Sequence, residues 1–427
     1  MDAFPLPDWP VLRKGARVWV AYSGGLDSTV LLHRLHAAGV RHLRALHVHH
    51  GLQRSADDWA RHCRAQCRAL GVPLGVLRVA IDADDPAGPE AAARQARYTA
   101  LRSRMRAGDL LVTAHHRGDQ AETVLLRLLR GAGVDGLAAM RPLIDFEPGH
   151  LWRPLLALPR SVLQAYAEKA GLRWIEDPHN QSPRYARSYL RQDVLPRLQQ
   201  HWPQAEASLA RAAGHCAQSA NLLDDLAALD LAALSDAATL RVGALLRLSD
   251  ARRRNLLRYW VRERGYEAPS SAALERLERE LLAAKEDAQP LLHLGRYEFR
   301  RYRDRLYLMA PLPPPPKRVV LPWNGQGRLA LPPGCGELRA AGRRNSARPA
   351  LQVRFPQGGE TLRPAAAART RTLKNLFQEA GVPQWQRLRT PLIYCEGRLV
   401  SVADRWLTAD WIAELGRLGL QLIWTPA

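Results

Sequence analysis

Two hydrophobic periodicities alternate along the first half of the chain. Val18, Val20 and Ala21 make a short apolar, β-branched run, which predicts a buried strand. Leu31, Leu32 and Leu35 follow at helical spacing, with Ser23-Gly24-Gly25 between the two. The order is strand, glycine turn, helix. The pattern then repeats. Arg44–His50 predicts a second strand, Trp59–Leu70 a helix, Leu74–Val79 a third strand and Glu90–Arg106 another helix. Asp109–Ala114 predicts a fourth strand, and Val124–Leu129 has the apolar character of a packed helix. Strands alternating with helices imply a doubly wound, Rossmann-like parallel sheet. Ligands of such a sheet sit beyond the carboxyl ends of the strands.

The second half reads differently. From about Ala205 to Leu282 the spacing is helical. Leu291–Met309 shifts to alternation, with Tyr297, Phe299, Leu306 and Leu308 flanking Arg303-Asp304, which predicts a hairpin. Pro311–Pro316 is a stiff linker, and Val319–Leu331 reads as short strands. The expected organisation is an α/β unit over 1–215 and a helical unit with a hairpin over 216–310. A Pro-rich linker with short strands covers 311–349, and a small α+β unit covers 350–427.

Composition narrows the class. The 62 Lys and Arg outnumber 41 Asp and Glu, leaving a formal charge of +21. That excess points to a polyanionic partner, nucleic acid foremost; a merely basic soluble protein is the plainer alternative. No apolar stretch approaches the ~20 residues of a membrane-spanning helix. Cys63, Cys67, Cys216, Cys335 and Cys395 form no paired framework, and no signal peptide is evident, so reduced thiols in a cytoplasmic protein are expected. Cys63 and Cys67 share a helix face without a second pair for zinc, so ordinary packing is expected of them. His47, His49 and His50 lack a carboxylate at ligand spacing and are expected to be packed or hydrogen-bonded.

The candidate chemistry lies at the ends of predicted strands. Ser23-Gly24-Gly25-Leu26-Asp27-Ser28 aims free N–H groups and a helix dipole at one point, which suits a phosphate. It is not a Walker A loop, since no Gly-Lys-Ser/Thr follows the glycines. Asp27 beside an anion site makes sense where a divalent cation or an amine is shared. Asp119 and Glu122, three apart at a helix start, could present two carboxylates to the same crevice, or could simply match the helix dipole. Arg94 and Arg97 share a helix face, either toward the site or toward solvent. Arg130-Gly131-Ala132-Gly133 is a glycine-rich loop. Arg153, Arg160, the Trp174–Asn180 stretch and Arg184–Arg191 form a basic patch with interleaved aromatics, a nucleic-acid signature.

Together these residues resemble the tRNA(Ile)-lysidine synthetase family, a branch of the N-type, PP-loop ATP pyrophosphatases. Ser23–Ser28 is similar to its pyrophosphate loop. Ala93–Tyr98, His116–Thr123, Arg130–Met140, Arg153–Leu156, Asp177–Asn180 and Tyr185–Arg191 are similar to its successive catalytic blocks. Leu245–Trp260 resembles its helical substrate-binding domain. Gly358–Glu360, Lys374–Trp385 and Pro391–Tyr394 resemble its C-terminal domain. Two positions depart from the family pattern: Gly118 stands where an acid or amide is usual, and Ser188 where an asparagine is usual.

The resemblance implies a ligase that converts the wobble cytidine of a CAU-anticodon isoleucine tRNA to lysidine. ATP adenylates the 2-keto oxygen of cytosine and releases pyrophosphate; the ε-amine of free L-lysine attacks carbon 2 and expels AMP. By the same resemblance Ser23, Gly24, Gly25, Leu26, Asp27 and Ser28 bind ATP, and Asp27, Asp119, Glu122, Arg94 and Arg97 are catalytic. His116, Arg130, Arg153, Asn180, Arg187, Arg191 and Lys374 would contact the tRNA substrate, and Asp27 would hold Mg2+. The implied partners are that tRNA and lysine, with no membrane and with a homodimer left open. Lys374, Arg369, Arg371, Arg387 and Arg389 could meet phosphates from the C-terminal unit. A tRNA thiolase with the same loop is a second reading, and a tRNA-binding protein without chemistry a third. The Cys63/Cys67 spacing argues against the thiolase and the intact loop against the third.

Overall fold

A computed structural model describes residues 4–7, 9–49, 56–80, 88–176, 186–236, 238–285, 288–342 and 350–426. His50, Gly51-Leu52, Asp177–Asn180, Arg184 and Tyr185 lie outside the described residues. The chain divides into two compact units, Met1–Asp225 and Leu226–Ala427.

The first unit opens with β1 (Val18–Ala21), α1 (Leu26–Ala37), β2 (Leu43–His49), α2 (Ala56–Ala69) and β3 (Leu74–Arg78). It continues through α3 (Pro89–Arg102), β4 (Leu110–Val112), α4 (Arg117–Leu128), α5 (Val134–Leu137), β5 (Leu143–Phe146) and β6 (Gly149–Trp152). α6 (Arg160–Lys169), α7 (Ala186–Tyr189), a π-helical turn at Leu190–Val194, α8 (Leu195–His201) and α9 (Ala205–Leu234) follow. The strands form one sheet in the order β3-β2-β1-β4-β6-β5. β1 pairs in parallel with β2 and β4, β2 with β3, and β4 with β6, while β5 runs antiparallel at the edge.

The doubly wound expectation holds, with one addition. The β5–β6 hairpin was not expected, because Asp145, Glu147 and His150 dilute the apolar pattern that marks the other strands. Gly149 lets β6 sit against β4: a Cβ there would lie 2.0 Å from the Asp109 carbonyl oxygen. Both faces of the sheet are covered. Val18, Val20, Leu110 and Val112 pack with Leu31, Leu32 and Leu35 of α1 and Leu163 and Ala167 of α6. Trp19, Leu46 and Leu111 face the other way, onto Leu101 and Met105. Each buried leucine contributes about 1.5–3 kcal/mol through lost water contact. Cys63 and Cys67 lie in the first of these cores, as packing predicts.

Asp109, at the amino end of β4, ties the base of the sheet together. Its carboxylate accepts from the Arg17 N–H at 3.0 Å, Arg17 Nε at 2.9 Å, Trp19 Nε1 at 3.0 Å and the Arg106 N–H at 2.9 Å. Burial works against the charge, but these donors hold the carboxyl below its ordinary range. A folded pKa below the unfolded one gives stability that is complete above about pH 4 and lost as pH falls through the folded value. Asp109→Ala is expected to cost about 3 kcal/mol, since it removes the carboxylate from a half-buried guanidinium and leaves three N–H donors without their acceptor. Urea unfolding at pH 7 and pH 3 checks this: the difference between wild type and variant should shrink at the lower pH.

The helical pattern expected from about Ala205 to Leu282 is interrupted after Leu234. Ser235–Asp236 and Thr239–Arg241 are strands, because Thr239-Leu240-Arg241 pairs with Arg305-Leu306-Tyr307. Tertiary pairing overrides the local helical pattern there. The hairpin turns at Arg303-Asp304 as predicted and gains Leu291–Leu294 as a further strand. Helices Asp250–Glu263 and Ser271–Leu277 pack on this sheet through Leu256, Leu257, Trp260 and Leu274. Beyond Pro316, strands Val320–Trp323, Leu351–Arg354, Leu392–Cys395, Arg398–Val402 and Trp406–Leu407 form a second sheet. Trp385 stands edge-on to Tyr302 and Tyr307, with ring centroids 6.2 and 5.2 Å away.

Candidate active site at the carboxyl ends of the strands

The chain runs from β1 outward to β3 and returns to β4 on the other side of β1. That reversal opens a crevice between the carboxyl ends of β1 and β4. A cavity of about 700 Å³ occupies it, lined by Ser23, Gly25–Ser28, Arg97, Tyr98, His115, Arg160 and Arg191, among others.

The loop after β1 is braced from within. The Ser28 hydroxyl accepts from the Ser23 N–H at 3.2 Å and donates to the Gly25 carbonyl at 3.1 Å. Gly24 has φ +86°, and a Cβ there would lie 2.8 Å from Cys63 Sγ and 2.9 Å from Ile175 Cδ1. Glycine at this position thus serves both a left-handed backbone and close packing against α2. Ile175 N–H donates to the Gly24 carbonyl at 2.9 Å, pinning the loop from the other side. No side chain caps α1, so its first-turn N–H groups remain available to an anion.

Asp27 rises from that first turn. Its Oδ1 is buried without a hydrogen-bond partner, with Arg160 Nε 3.5 Å away. Its Oδ2 lies 4.0 Å from His116 Nε2. Burial pushes this carboxyl above its ordinary range, against the pull of His116 and Arg160.

His116 and Asp119 cap α4 reciprocally. His116 Nδ1 accepts from the Gly118 N–H at 3.0 Å, and Asp119 Oδ2 accepts from the His116 N–H at 3.0 Å. Because Nδ1 is an acceptor, the ring proton is assigned to Nε2, which faces Asp119 at 3.6 Å and Asp27. Gly118 suits this cap: a Cβ there would lie 2.9 Å from His116 Cε1. The second acid, Glu122, is 1% exposed.

Arg191, carried on the π-helical turn, bridges the pair. Its Nε donates to Glu122 Oε1 at 2.6 Å and its Nη2 to Asp119 Oδ1 at 3.0 Å. Glu122 Oε2 has no hydrogen-bond partner and lies 3.9 Å from Arg187 Nη1. The two carboxyls are driven apart. Burial raises Glu122 despite Arg191. At Asp119 burial is outweighed by His116, His115 and Arg191, which hold it low. Such a split separates an ionised carboxylate from one poised to take a proton. Burial, with Arg153, Arg94 and Arg97 nearby, pushes His115 down to about 3 although Asp119 pulls the other way. Its ring is neutral at physiological pH.

Opposite the acids stands a basic wall. The guanidinium groups of Arg94 and Arg97 lie 4.9 and 5.5 Å from the Tyr98 ring centroid. Arg153 lies near Tyr98 and donates to the Arg141 carbonyl at 2.6 Å, while its buried Nε has no partner among the described residues. Arg187 donates to Thr123 Oγ1 at 3.4 Å.

Asp27, His116, Asp119, Glu122, Arg97, Arg187 and Arg191 thus meet around one crevice, with Arg94 and Arg153 behind Tyr98. Arg130 does not join them: it is exposed past the far end of α4, whose 12 residues span about 18 Å. Lys374 belongs to the second unit and is exposed, and Asn180 lies outside the described residues. Arg160 and Ile175, marked in the sequence only as parts of a basic patch with interleaved aromatics, line the cavity, as does Trp59, which no motif assigned. Of the distal cations, Arg389 is buried and donates to the Trp385 and Pro313 carbonyls. Arg387 donates to the Val382 carbonyl and to the Tyr302 hydroxyl. Arg371 pairs with Glu379. These three are engaged internally, which leaves Lys374 and Arg369 as the outward-facing members of that group.

Comparison with known proteins identifies the family. Residues 6–198 match the ATP-binding PP-loop domain model, 240–307 the TilS substrate binding domain and 351–424 the TilS substrate C-terminal domain. The tRNA(Ile)-lysidine synthase of Methylococcus capsulatus is 42% identical over 97% of this chain and 98% of its own length. That of Serratia proteamaculans is 45% identical over 95% and 94%. Among solved structures, a U34-tRNA thiolase from Methanococcus maripaludis matches 48% of this chain and 73% of its own, with 21% identity and a TM-score of 0.41. With relatives of one name aligned along almost the whole sequence and three successive domains matched in order, the chain belongs to the tRNA(Ile)-lysidine synthase family.

Proposed function

We propose that the chain ligates free L-lysine to carbon 2 of the wobble cytidine in the CAU anticodon of isoleucine tRNA, through an adenylated tRNA made from ATP. The observation that carries this reading is one cavity lined by an anion-binding loop, by Arg97 and by Arg191, which hydrogen-bonds both members of the acid pair. The loop Ser23–Ser28 holds the triphosphate by its N–H groups and hydroxyls. The 2-keto oxygen of cytosine attacks the α-phosphorus, the α–β bridging bond breaks and pyrophosphate leaves. Asp119 and Glu122 hold the lysine ammonium, and the carboxyl with the raised pKa takes its proton as the amine attacks carbon 2 and AMP leaves. Arg94, Arg97, Arg153 and Arg187 receive phosphates or the target nucleotide, and His116 orients Asp27 and Asp119. Asn180, Arg130 and Arg191 complete the contacts to tRNA, Arg191 chiefly by fixing the two acids.

Asp27 fits a divalent cation, because its Oδ1 is buried and lacks a hydrogen-bond partner. Among the described residues no group of three or more His, Cys, Asp or Glu could hold a metal on protein ligands alone. A single carboxylate completed by nucleotide phosphates is the usual setting for Mg2+, which would supply charge neutralisation on the triphosphate.

A thiolase chemistry finds no support in the thiols. Burial pushes Cys63 up to about 12 and Cys67 to about 11, the opposite of a reactive thiolate. Incubation with radiolabelled lysine, ATP and isoleucine tRNA transcript decides the matter. Label in the tRNA that depends on ATP and on C34 supports the ligase; none overturns it.

The four-part organisation at 1–215, 216–310, 311–349 and 350–427 assigns tRNA contact to the last part. Lys374→Glu combined with Arg369→Glu is expected to weaken isoleucine tRNA binding about tenfold. The slope of log affinity against log salt should shrink by about two, near 0.9 per phosphate contact. Filter binding across a salt series checks this. An unchanged slope removes the two residues from the interface.

A further inference from the structure

Arg160 is the cavity cation that the proposed chemistry leaves unused. It is the first residue of α6, and its side chain is 53% exposed. Its place is fixed by the strand ends: the Arg117 N–H at the start of α4 donates to the Leu158 carbonyl at 2.9 Å, two residues upstream. It lines the same cavity as Ser23, Gly25, Asp27 and Ser28. The other arginines there are committed. Arg191 hydrogen-bonds both acids, and Arg97 stands over Tyr98. Among the described residues Arg160 faces the Asp27 carboxylate, at 3.5 Å from Oδ1, an ion-pair distance without a hydrogen bond.

That arrangement leaves the planar donor fork of the guanidinium open toward the loop. A fork of this kind matches phosphate oxygens in a bidentate way. The leaving group of a PP-loop reaction is pyrophosphate, and its negative charge grows as the α–β bond breaks. Stabilisation aimed at that growing charge accelerates the step. A cation on the lysine side of the crevice would serve poorly, because it is neutralised by Asp119 and Glu122. Arg160 lies on the loop side, where the β- and γ-phosphates belong.

We infer that Arg160 is a pyrophosphate-binding residue: it screens Asp27 while the loop is empty and turns to the β- and γ-phosphates when nucleotide binds. The inference rests on the reading of Ser23–Ser28 as the triphosphate site. No proton moves to or from Arg160. The bond that breaks is the α–β bridge, and its electron pair leaves with pyrophosphate.

The test uses the full chain with Arg160→Gln and Arg160→Lys. Equilibrium dialysis with radiolabelled ATP and with AMP needs no tRNA and no turnover. Arg160→Gln is expected to weaken ATP about tenfold and leave AMP within twofold, since AMP lacks the phosphates in question. Inhibition by inorganic pyrophosphate in the lysine-incorporation assay should weaken by a similar factor, with the KM for lysine unchanged. Arg160→Lys keeps the charge without the fork and should recover only part of the loss. Equal weakening of ATP and AMP, or no weakening of ATP and pyrophosphate, overturns the inference. A wild-type chain that binds ATP but incorporates no lysine overturns the proposed function instead, and leaves the ATP-to-AMP comparison readable.

Discussion

Asp27→Ala abolishes the tRNA-dependent exchange of pyrophosphate into ATP while the chain stays folded. The expected loss is about 10³-fold or more, roughly 4 kcal/mol of transition-state stabilisation. Asp27 is the one carboxylate on the turn that delivers the loop's free N–H groups, and its Oδ1 has no hydrogen-bond partner to lose. The fold gains from it only the ion pairs with Arg160 and His116, at 3.5 and 4.0 Å, while the burial of an incompletely satisfied oxygen is a cost. His116 does not depend on it: it is held by the Gly118 N–H and by Asp119. The melting temperature of the variant should match or slightly exceed that of the wild type, the usual mark of a residue kept for function. Radiolabelled pyrophosphate exchange with a thermal melt on the same sample checks both halves. Exchange within threefold of wild type would remove Asp27 from the chemistry. A large drop in melting temperature would make it a structural residue.

The loop and the acid pair were legible because their chemistry is local. Ser23–Ser28 supplies turn, hydroxyls and carboxylate within six consecutive residues, and Asp119 and Glu122 lie three apart on one helix. What lies between them is not local. Arg191 is 72 residues from Asp119, and only the packing of the π-helical turn against α4 brings its guanidinium onto both acids. Its sequence neighbours Arg184 and Arg187 suggested contact with tRNA, and its charge alone could not reveal that the acids occupy it. Arg387 and Arg389 mislead in the same way. Charge and spacing mark them as phosphate contacts, yet their donors are used on Val382, Tyr302, Trp385 and Pro313. Whether an arginine faces solvent or a carbonyl depends on tertiary packing, which periodicity does not encode. Gly24 shows the converse. The sequence places it in a turn that suits a phosphate, yet the side chains pressing on it are Cys63 and Ile175, from the protein side. The break at Leu234 belongs with these, since Thr239–Arg241 becomes a strand only because Arg305–Tyr307 offers it an edge.

Glu122→Gln should raise the KM for lysine by about 10- to 100-fold and leave tRNA affinity within twofold. Glutamine keeps an acceptor for Arg191 at nearly the same place, so the 2.6 Å contact can persist and the local fold survives. What it removes is charge. A charge-assisted hydrogen bond to an ammonium contributes about 1.5–3 kcal/mol, which sets the expected range. The pH dependence separates this from a packing defect. Lysine binding needs Glu122 ionised, and burial raises its folded pKa above the ordinary glutamate value. As pH falls, protonation empties the site before an exposed carboxylate would titrate. The acid limb of kcat/KM for lysine should therefore lie above about pH 4.3, and Glu122→Gln should lose that limb. Asp119 differs in sign: its carboxyl is held low, so it stays ionised across the same range and contributes no such limb. Asp119→Asn should also disturb the α4 cap, because the His116 N–H and Arg191 both donate to it. It is expected to lower stability as well as lysine affinity. A Glu122→Gln variant with wild-type KM for lysine and an unshifted acid limb would assign the ammonium to Asp119 alone.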